Sequence, residues 1–305
     1  MIQASVTSTR NARLMTAATH ASVAAAAVLI VAKIAAFLVT DSVALLSTLI
    51  DSLLDAAASI INLLAVRHAL TPADREHRFG HGKAESLAGL GQSAFIAGSA
   101  VFLIFEAGHR LFDVQPVHNG AIGMAVMAFS IVVTIGLVSF QRYVVRATGS
   151  VAIGADALHY FGDLLVNGSV LISLFLGMQF GWHILDPIFA IGIAAFIVAS
   201  AWQISRKSLD QLMDRELRDD ARSRIKEIVT ENPHVVAMHD LRTRSAGPTL
   251  FIQLHLEMNP DITLARAHEI SDSVEARLLE AFPGAEVIIH EDPAGIPELR
   301  REYAR

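Results

Sequence analysis

Two pairs of side chains that can bind metal ions lie inside hydrophobic stretches of this sequence. Asp51 and Asp55 are four residues apart in one stretch, and His159 and Asp163 have the same spacing in another. A step of four residues returns to the same face of an α-helix, so each pair would point in one direction. A carboxylate near the centre of a bilayer costs about 2.5 to 3.5 kcal/mol on the insertion scale, so such groups usually serve a function. The spacing therefore predicts a divalent-cation site inside a membrane.

Each pair belongs to a longer polar seam on its helix. Ser59 and Asn62 extend the first seam, and Asp156 and Asn167 flank the second pair. At about 1.5 Å per residue from opposite membrane surfaces, the two pairs reach similar depths, so the two faces can meet. Three carboxylates and one imidazole would form a tetrahedral site that suits Zn²⁺, with Cd²⁺, Fe²⁺ and Mn²⁺ as competitors. The alternative is a buried polar network that only joins the helices.

The composition places the chain in the membrane class. Hydrophobic residues make up 53% of the sequence, charged residues 18%, and the mean hydropathy is +0.47, which is too apolar for an ordinary soluble domain. The formal charge of −6 argues against binding of nucleic acid. Cysteine is absent, so any metal ligands must be oxygen and imidazole nitrogen atoms.

Six apolar runs have the length of about 20 residues that crosses a bilayer. They lie near residues 16–40, 42–66, 85–109, 119–144, 151–178 and 184–206. After Asp210 the composition becomes polar. We therefore predict an all-α six-helix transmembrane domain in residues 1–210 and a separate domain in residues 211–305.

The distribution of basic residues predicts the orientation in the membrane. Arg67, Arg75, Arg78 and Lys83 lie between the second and third runs, whereas the loops on the opposite side contain only Arg110. Because Lys and Arg are enriched in cytoplasmic loops, both termini are predicted to be cytoplasmic. An even number of spans agrees with this orientation.

The C-terminal part alternates between helical and strand patterns. Residues 219–231 and 263–282 have helical patterns, and residues 235–242, 249–258 and 286–290 have strand patterns, with a hairpin turn at Gly247-Pro248. This order predicts a small α+β domain with its helices on one face of the sheet.

Several motifs resemble those of the cation diffusion facilitator family, in its bacterial zinc and iron exporter branch. DSLLD at residues 51–55 and HYFGD at residues 159–163 are similar to the paired transport motifs of that family, and PADREHRFGHGKAES at residues 72–86 is similar to its loop between the second and third spans. HDLRTR at residues 239–244 is similar to the start of its cytoplasmic metal site. The resemblance extends over nearly the whole chain.

The resemblance implies three groups of metal ligands. It assigns a transport site to Asp51, Asp55, His159 and Asp163, an additional site to Asp74, His77 and His81, and a cytoplasmic binuclear site to His239, His255, His268, His290 and Asp292. It also implies a homodimer in the bacterial inner membrane, a ferredoxin-like cytoplasmic domain that regulates the dimer, and proton-coupled metal export by alternating access.

Other readings of the same residues remain open. An intramembrane metalloprotease would carry His-Glu-x-x-His, and neither His268-Glu269 nor His290-Glu291 is followed by the second histidine. A membrane-anchored metal sensor is a third possibility, although sensing would not require the intramembrane seam. Without the resemblance, the loop histidines would be interpreted as solvent-facing. For the C-terminal histidines, the alternative to a metal site is that they are core residues of the domain. The remaining histidines receive no role: His20, His68, His109, His118, His183 and His234.

Overall fold

Long helices form at all six apolar runs. They are α1 (Ile2–Thr40), α2 (Val43–Ala69), α3 (Lys83–Phe112), α4 (Ala121–Thr148), α5 (Val151–Phe180) and α6 (Leu185–Leu212). The structure is a computed structural model that describes residues 2–40, 43–112, 121–180 and 185–296. The chain divides into two units: residues 10–213 form one, and residues 214–305 with residues 1–9 form the other.

Five helices contain a described segment that is long and apolar enough to cross a membrane. These are α1, α2, α3, α4 and α6, so the protein is a multi-pass membrane protein. Helix α5 does not meet that criterion within the described residues. The prediction of six spans is thus confirmed for five of them. Large apolar side chains such as Val31, Leu38 and Phe102 are exposed, as expected of helices that face lipid.

Small residues allow the helices around α5 to approach closely. A side-chain Cβ at Gly162 of α5 would lie 3.1 Å from Ile197 of α6. A Cβ at Gly89 of α3 would lie 3.0 Å from both Val151 and Ser208. Membrane helices pack through such small residues because lipid provides no hydrophobic drive for their association. The glycines therefore help to set the position of α5 against α3 and α6.

Two buried carboxylates anchor the first turns of α5. The Glu85 Oε1 atom on α3 accepts a hydrogen bond of 2.8 Å from the Val151 backbone N–H, which is one of the free amides at the start of α5. Asp156 accepts hydrogen bonds from Ser22 (2.5 Å), Gln141 (2.6 Å) and Gln92 (3.1 Å), which lie on α1, α4 and α3. Because Asp156 joins three helices to α5, it restricts the rotation of α5 and hence the direction of its next polar side chains.

The second unit is a two-layer α/β domain. Its elements are α7 (Asp219–Thr230), β1 (Ala237–Ala246), β2 (Thr249–Met258), α8 (Leu264–Ala281) and β3 (Glu286–Pro293). The sheet order is β1-β2-β3, with β1 and β2 antiparallel and β2 and β3 parallel. The predicted order of elements is confirmed. The described residues contain three strands, which is a ferredoxin-like βαββαβ order without its first strand.

Strands β1 and β3 are longer than the sequence pattern predicted. β1 continues to Ala246, directly before the turn at Gly247, whose φ of +57° suits glycine. β3 continues through Asp292 to Pro293. The longer β3 matters for the site, because it keeps Asp292 in register with the neighbouring strand.

The core of this domain lies between its helices and one face of the sheet. Ile252, Leu254 and Leu256 of β2 are buried there with residues of both helices, including Ile225 and Leu278. Alternate residues of a strand point to opposite faces, so the residues between these apolar ones point away from the helices. The face of the sheet opposite the helices therefore carries the polar residues, which include the candidate metal ligands.

Candidate metal centres

Side chains from α2 and α5 form a cluster of three potential metal ligands inside the membrane unit. One ligand atom each from Asp55, His159 and Asp163 lies within 4.8 Å of the other two. The His159 Nε2 atom is 2.8 Å from Asp55 Oδ1 and 3.9 Å from Asp163 Oδ2. Two ligands that share one zinc ion are about 3.3 Å apart, as follows from metal–ligand bonds of about 2.0 to 2.1 Å in a tetrahedron. Small adjustments of these three side chains would therefore let them bind one ion.

Asp51 does not belong to this cluster in the structure. It lies one turn before Asp55 on α2, and it is exposed. The sequence correctly placed both aspartates on one helix, but the cluster contains only the second. The rotation and tilt of α2 decide this difference, and the spacing of the residues does not determine them.

Aromatic and polar neighbours hold His159 in position. Its ring centroid is 5.5 Å from that of Tyr160 and 6.2 Å from that of Phe95. The Tyr160 hydroxyl forms a hydrogen bond of 2.9 Å with Ser59 of α2. This bond joins Ser59, one turn after Asp55 in the polar seam of α2, to the residue that directly follows His159 on α5. Side chains of α2 and α5 therefore contact each other, as the two polar seams predicted.

Lys33 brings a positive charge to the same region. Its Nζ atom donates hydrogen bonds to the Thr48 carbonyl (2.9 Å) and to the Ser52 hydroxyl (2.7 Å), both on α2. The ammonium group interacts electrostatically with the carboxylates of Asp55, Asp51 and Asp163. A lysine inside an apolar run usually has such a partner, and this charge partly balances the acidic cluster.

A second cluster lies in the loop between α2 and α3. Ligand atoms of Asp74, His77 and His81 lie within 4.8 Å of one another. The Asp74 Oδ1 atom is 3.5 Å from His77 Nδ1, and Asp74 Oδ2 is 3.3 Å from His81 Nε2. All three residues predicted for the additional site thus lie together.

Backbone amides hold the Asp74 carboxylate in its charged form. Asp74 Oδ1 accepts hydrogen bonds from the backbone N–H of His77 (2.6 Å) and of Glu76 (2.9 Å). The His77 amide is the main reason that the pKa of Asp74 lies below its usual value. A carboxylate that stays ionised in mildly acidic solution remains available to a cation.

A third cluster lies on the polar face of the C-terminal sheet. The His255 Nδ1 atom is 2.8 Å from Asp292 Oδ2, and His239 Nε2 is 3.5 Å from the same oxygen. The strand register explains this proximity, since His239 is paired with His255 across β1 and β2, and His255 with His290 across β2 and β3. On the other side of the carboxylate, His290 Nε2 is 3.1 Å from Asp292 Oδ1. The two oxygens of Asp292 thus face different histidines, an arrangement suited to a carboxylate that bridges two ions.

His268 does not join the C-terminal cluster within one chain. It lies on α8 with its side chain 72% exposed, and its Nε2 atom is 3.6 Å from Asp272 Oδ2, one turn further along the helix. Four of the five residues predicted for this site therefore come together.

Glu257 is a potential ligand that the sequence reasoning missed. Its Oε1 atom lies 3.3 Å from His239 Nε2, and its backbone is in register with Asp292. The sequence contained a signal for this residue, because Glu257 is two residues after His255 and so lies on the same face of the strand.

Comparison with known proteins agrees with these observations. The family domain described as "Cation efflux transmembrane domain" matches residues 19–213, and "Cation efflux protein, cytoplasmic domain" matches residues 217–294. The cation-efflux pump FieF of Salmonella choleraesuis (strain SC-B67) is 48% identical over 292 residues, which cover 95% of this chain and 97% of the relative. FieF of Salmonella typhimurium (strain LT2) matches with the same identity and coverage.

A similarity to solved structures is confined to a smaller part of the chain. The zinc form of CzrB is 34% identical, covers 28% of this chain and 98% of its own, and has a TM-score of 0.27. The two family domains and the relatives with nearly complete coverage confirm the resemblance seen in the motifs. This chain belongs to the cation efflux family, the cation diffusion facilitators, whose members are membrane transporters of metal cations and not enzymes.

Proposed function

We propose that this protein exports Zn²⁺ from the cytoplasm in exchange for protons, and that the ion passes through the cluster of Asp55, His159 and Asp163. The observation that carries the proposal is this group of two carboxylates and one imidazole between two membrane helices. Mixed oxygen and imidazole ligands suit Zn²⁺ best, and Fe²⁺, Cd²⁺ and Mn²⁺ are its competitors.

Asp51 supplies the fourth ligand in this proposal. A rotation of α2 that brings the turn with Asp51 toward α5 would complete a site of three carboxylates and one imidazole. Alternating access requires such movements, because the site must open to the two sides of the membrane in turn. In the proposed six-helix membrane domain, α5 is the fifth span, and its polar seam faces the other helices.

Competition between metal and protons provides the coupling. Neighbouring carboxylates in a partly dry site repel one another and so favour protonation, whereas a bound dication favours their charged forms. Metal that enters from the cytoplasm therefore displaces protons. After the helices expose the site to the outside, protons that flow down their gradient favour release of the metal.

The charge of Lys33 contributes to this exchange. With neutral His159, three ionised carboxylates and one ammonium group carry a net charge of −2, which one divalent cation neutralises. The positive charge of Lys33 thus makes the net charge of the empty site less negative, which assists release of the ion.

The proposed assembly is a homodimer in the bacterial inner membrane with both termini in the cytoplasm. Residues 1–210 form the transport domain, and residues 211–305 form the ferredoxin-like domain that joins the protomers. In this assembly the exposed His268 belongs to the metal site between the two cytoplasmic domains. Metal binding there would clamp the protomers together and shift the equilibrium between inward-facing and outward-facing states, which is a regulatory role.

Removal of the cytoplasmic ligands should separate regulation from transport. We expect the triple variant His239→Ala, His255→Ala and Asp292→Ala to lose metal-induced compaction of the cytoplasmic domains, because each residue contributes directly to the cluster. The full-length variant should still bind metal in its membrane site. Fluorescence energy transfer between labelled cytoplasmic domains reports compaction, and equilibrium dialysis reports binding. Loss of all binding in the full-length variant would show that the division between regulatory and transport sites is wrong.

Metal uptake into proteoliposomes tests the function as a whole. An imposed pH gradient should drive Zn²⁺ across the membrane against its own gradient, and collapse of the pH gradient with a protonophore should stop that movement. Parallel measurements with Fe²⁺, Cd²⁺ and Mn²⁺ rank the competing ions. A membrane-anchored sensor would give no flux with any metal, so this result would reject the exporter.

A further inference from the structure

A fourth histidine lies beside the loop cluster. His68 is in the last turn of α2, and its ring centroid is 4.5 Å from that of His81, with an interplanar angle of 62°. On the other side, the ring of His77 is 4.6 Å from that of His81. His81 is buried, with 8% exposure, whereas His68 is exposed.

These ring separations agree with imidazoles that share a metal ion. With zinc–nitrogen bonds of about 2.0 to 2.1 Å and tetrahedral angles, two ring centroids lie about 5 Å apart. Both ring pairs are close to that separation. The His81 Nδ1 atom is also 3.4 Å from the Thr71 carbonyl oxygen, which directs its Nε2 atom toward Asp74 and the centre of the group.

We propose that His68 is the fourth protein ligand of the loop site and completes a set of three imidazoles and one carboxylate. The inference rests on the proposed metal site of Asp74, His77 and His81 and adds the residue that completes the coordination of the ion. Four protein ligands leave no open position, which is typical of structural zinc sites. The ion that suits this set of side chains is a divalent transition metal of intermediate softness, such as Zn²⁺. Co²⁺ can replace it as a spectroscopic probe.

A closed site at this position would join the ends of two membrane helices. His68 belongs to the end of α2, and His81 lies two residues before α3 begins at Lys83. Helix α2 also carries Asp55, which is thirteen residues before His68 and hence about 20 Å along the helix. Metal in the loop would therefore fix the end of the helix that contributes a transport ligand.

Metal titration of a simplified full-length protein tests the assignment. In a background with Asp55→Asn, Asp163→Asn, His239→Ala and His255→Ala, the loop site is left to bind Co²⁺ and Zn²⁺ in detergent solution. We expect His68→Phe to raise the Zn²⁺ dissociation constant at least about tenfold, since even the loss of an outer partner of a metal ligand costs about that much. The visible Co²⁺ absorption should weaken as water replaces the imidazole and the tetrahedral geometry is lost. His20→Phe is the matched control, because His20 is an exposed histidine of α1 whose Nδ1 atom lies 2.7 Å from the Thr16 carbonyl oxygen of the same helix, and it should change neither quantity.

A second variant tests the position of the ligand directly. The chain has no cysteine, so His68→Cys introduces a unique thiol. If residue 68 binds the metal, Co²⁺ should acquire a thiolate charge-transfer band in the near ultraviolet, and tight binding should persist. Unchanged Zn²⁺ affinity and Co²⁺ absorption in His68→Phe, together with no thiolate band in His68→Cys, would overturn the proposal. In that event, loss of binding in His81→Phe would leave the three-residue site standing, whereas no binding in the background protein would reject the loop site as well.

Discussion

Replacement of His159 by aspartate is expected to change which metal the protein transports. Imidazole favours Zn²⁺, whereas a site made only of oxygen atoms favours harder ions such as Mn²⁺. His159→Asp should therefore lower the ratio of Zn²⁺ flux to Mn²⁺ flux at least about tenfold, which corresponds to about 1.4 kcal/mol of discrimination. Uptake of the two metals by the same proteoliposome preparation measures this ratio.

The variant His159→Asn is the control for this experiment. It removes the imidazole that lies 2.8 Å from Asp55 without adding a carboxylate. We expect it to reduce transport of both metals and to produce no gain for Mn²⁺ relative to the original protein. If His159→Asp reduces the fluxes of Zn²⁺ and Mn²⁺ by the same factor, His159 does not determine selectivity.

The cluster of Asp55, His159 and Asp163 was largely predictable because the sequence information that indicates it is local. Residues four apart share a helix face, and the rarity of charge in an apolar run indicates a function, so the amino-acid sequence alone was sufficient to identify Asp55, His159 and Asp163. The exclusion of Asp51 from the cluster could not be predicted. It depends on how α2 is rotated against α5, which the spacing of the residues along the chain does not determine.

The C-terminal cluster shows the same division between local and long-range information. Alternation along β2 predicts that His255 and Glu257 share a face. The proximity of His239 and Asp292 to them requires the strand register, and β1 contains an irregularity between His239 and Arg242, where Asp240 has a φ of +48°. Such a bulge shifts the pairing of all later residues, so a sequence pattern alone does not determine which side chains meet.

The fold as a whole followed from hydropathy and from the order of elements. Six apolar runs became six long helices, and the predicted helices and strands of the second domain appeared in the predicted order. The membrane assignment is weakest at α5, whose described residues do not meet the criterion of length and apolar character. His68 received no role for a related reason, since only the folded loop brings it beside His81.

Zinc flux through the variant Asp55→Ala is the most direct test of the central claim, that the ion passes through the cluster on α2 and α5. The substitution removes the carboxylate that lies 2.8 Å from His159 Nε2, and no described neighbour replaces it in the cluster. The variant should still insert and dimerise, because an apolar residue is easier to accommodate inside the membrane than a charged one.

Asp261→Ala, at an exposed acid of the C-terminal domain, is the control for a general effect of losing a charge. We predict that proton-driven Zn²⁺ flux falls to the level of protein-free vesicles in Asp55→Ala and is retained in Asp261→Ala. Flux at the unmodified rate in well-folded Asp55→Ala would show that the ion takes another route, and the proposed mechanism would be wrong.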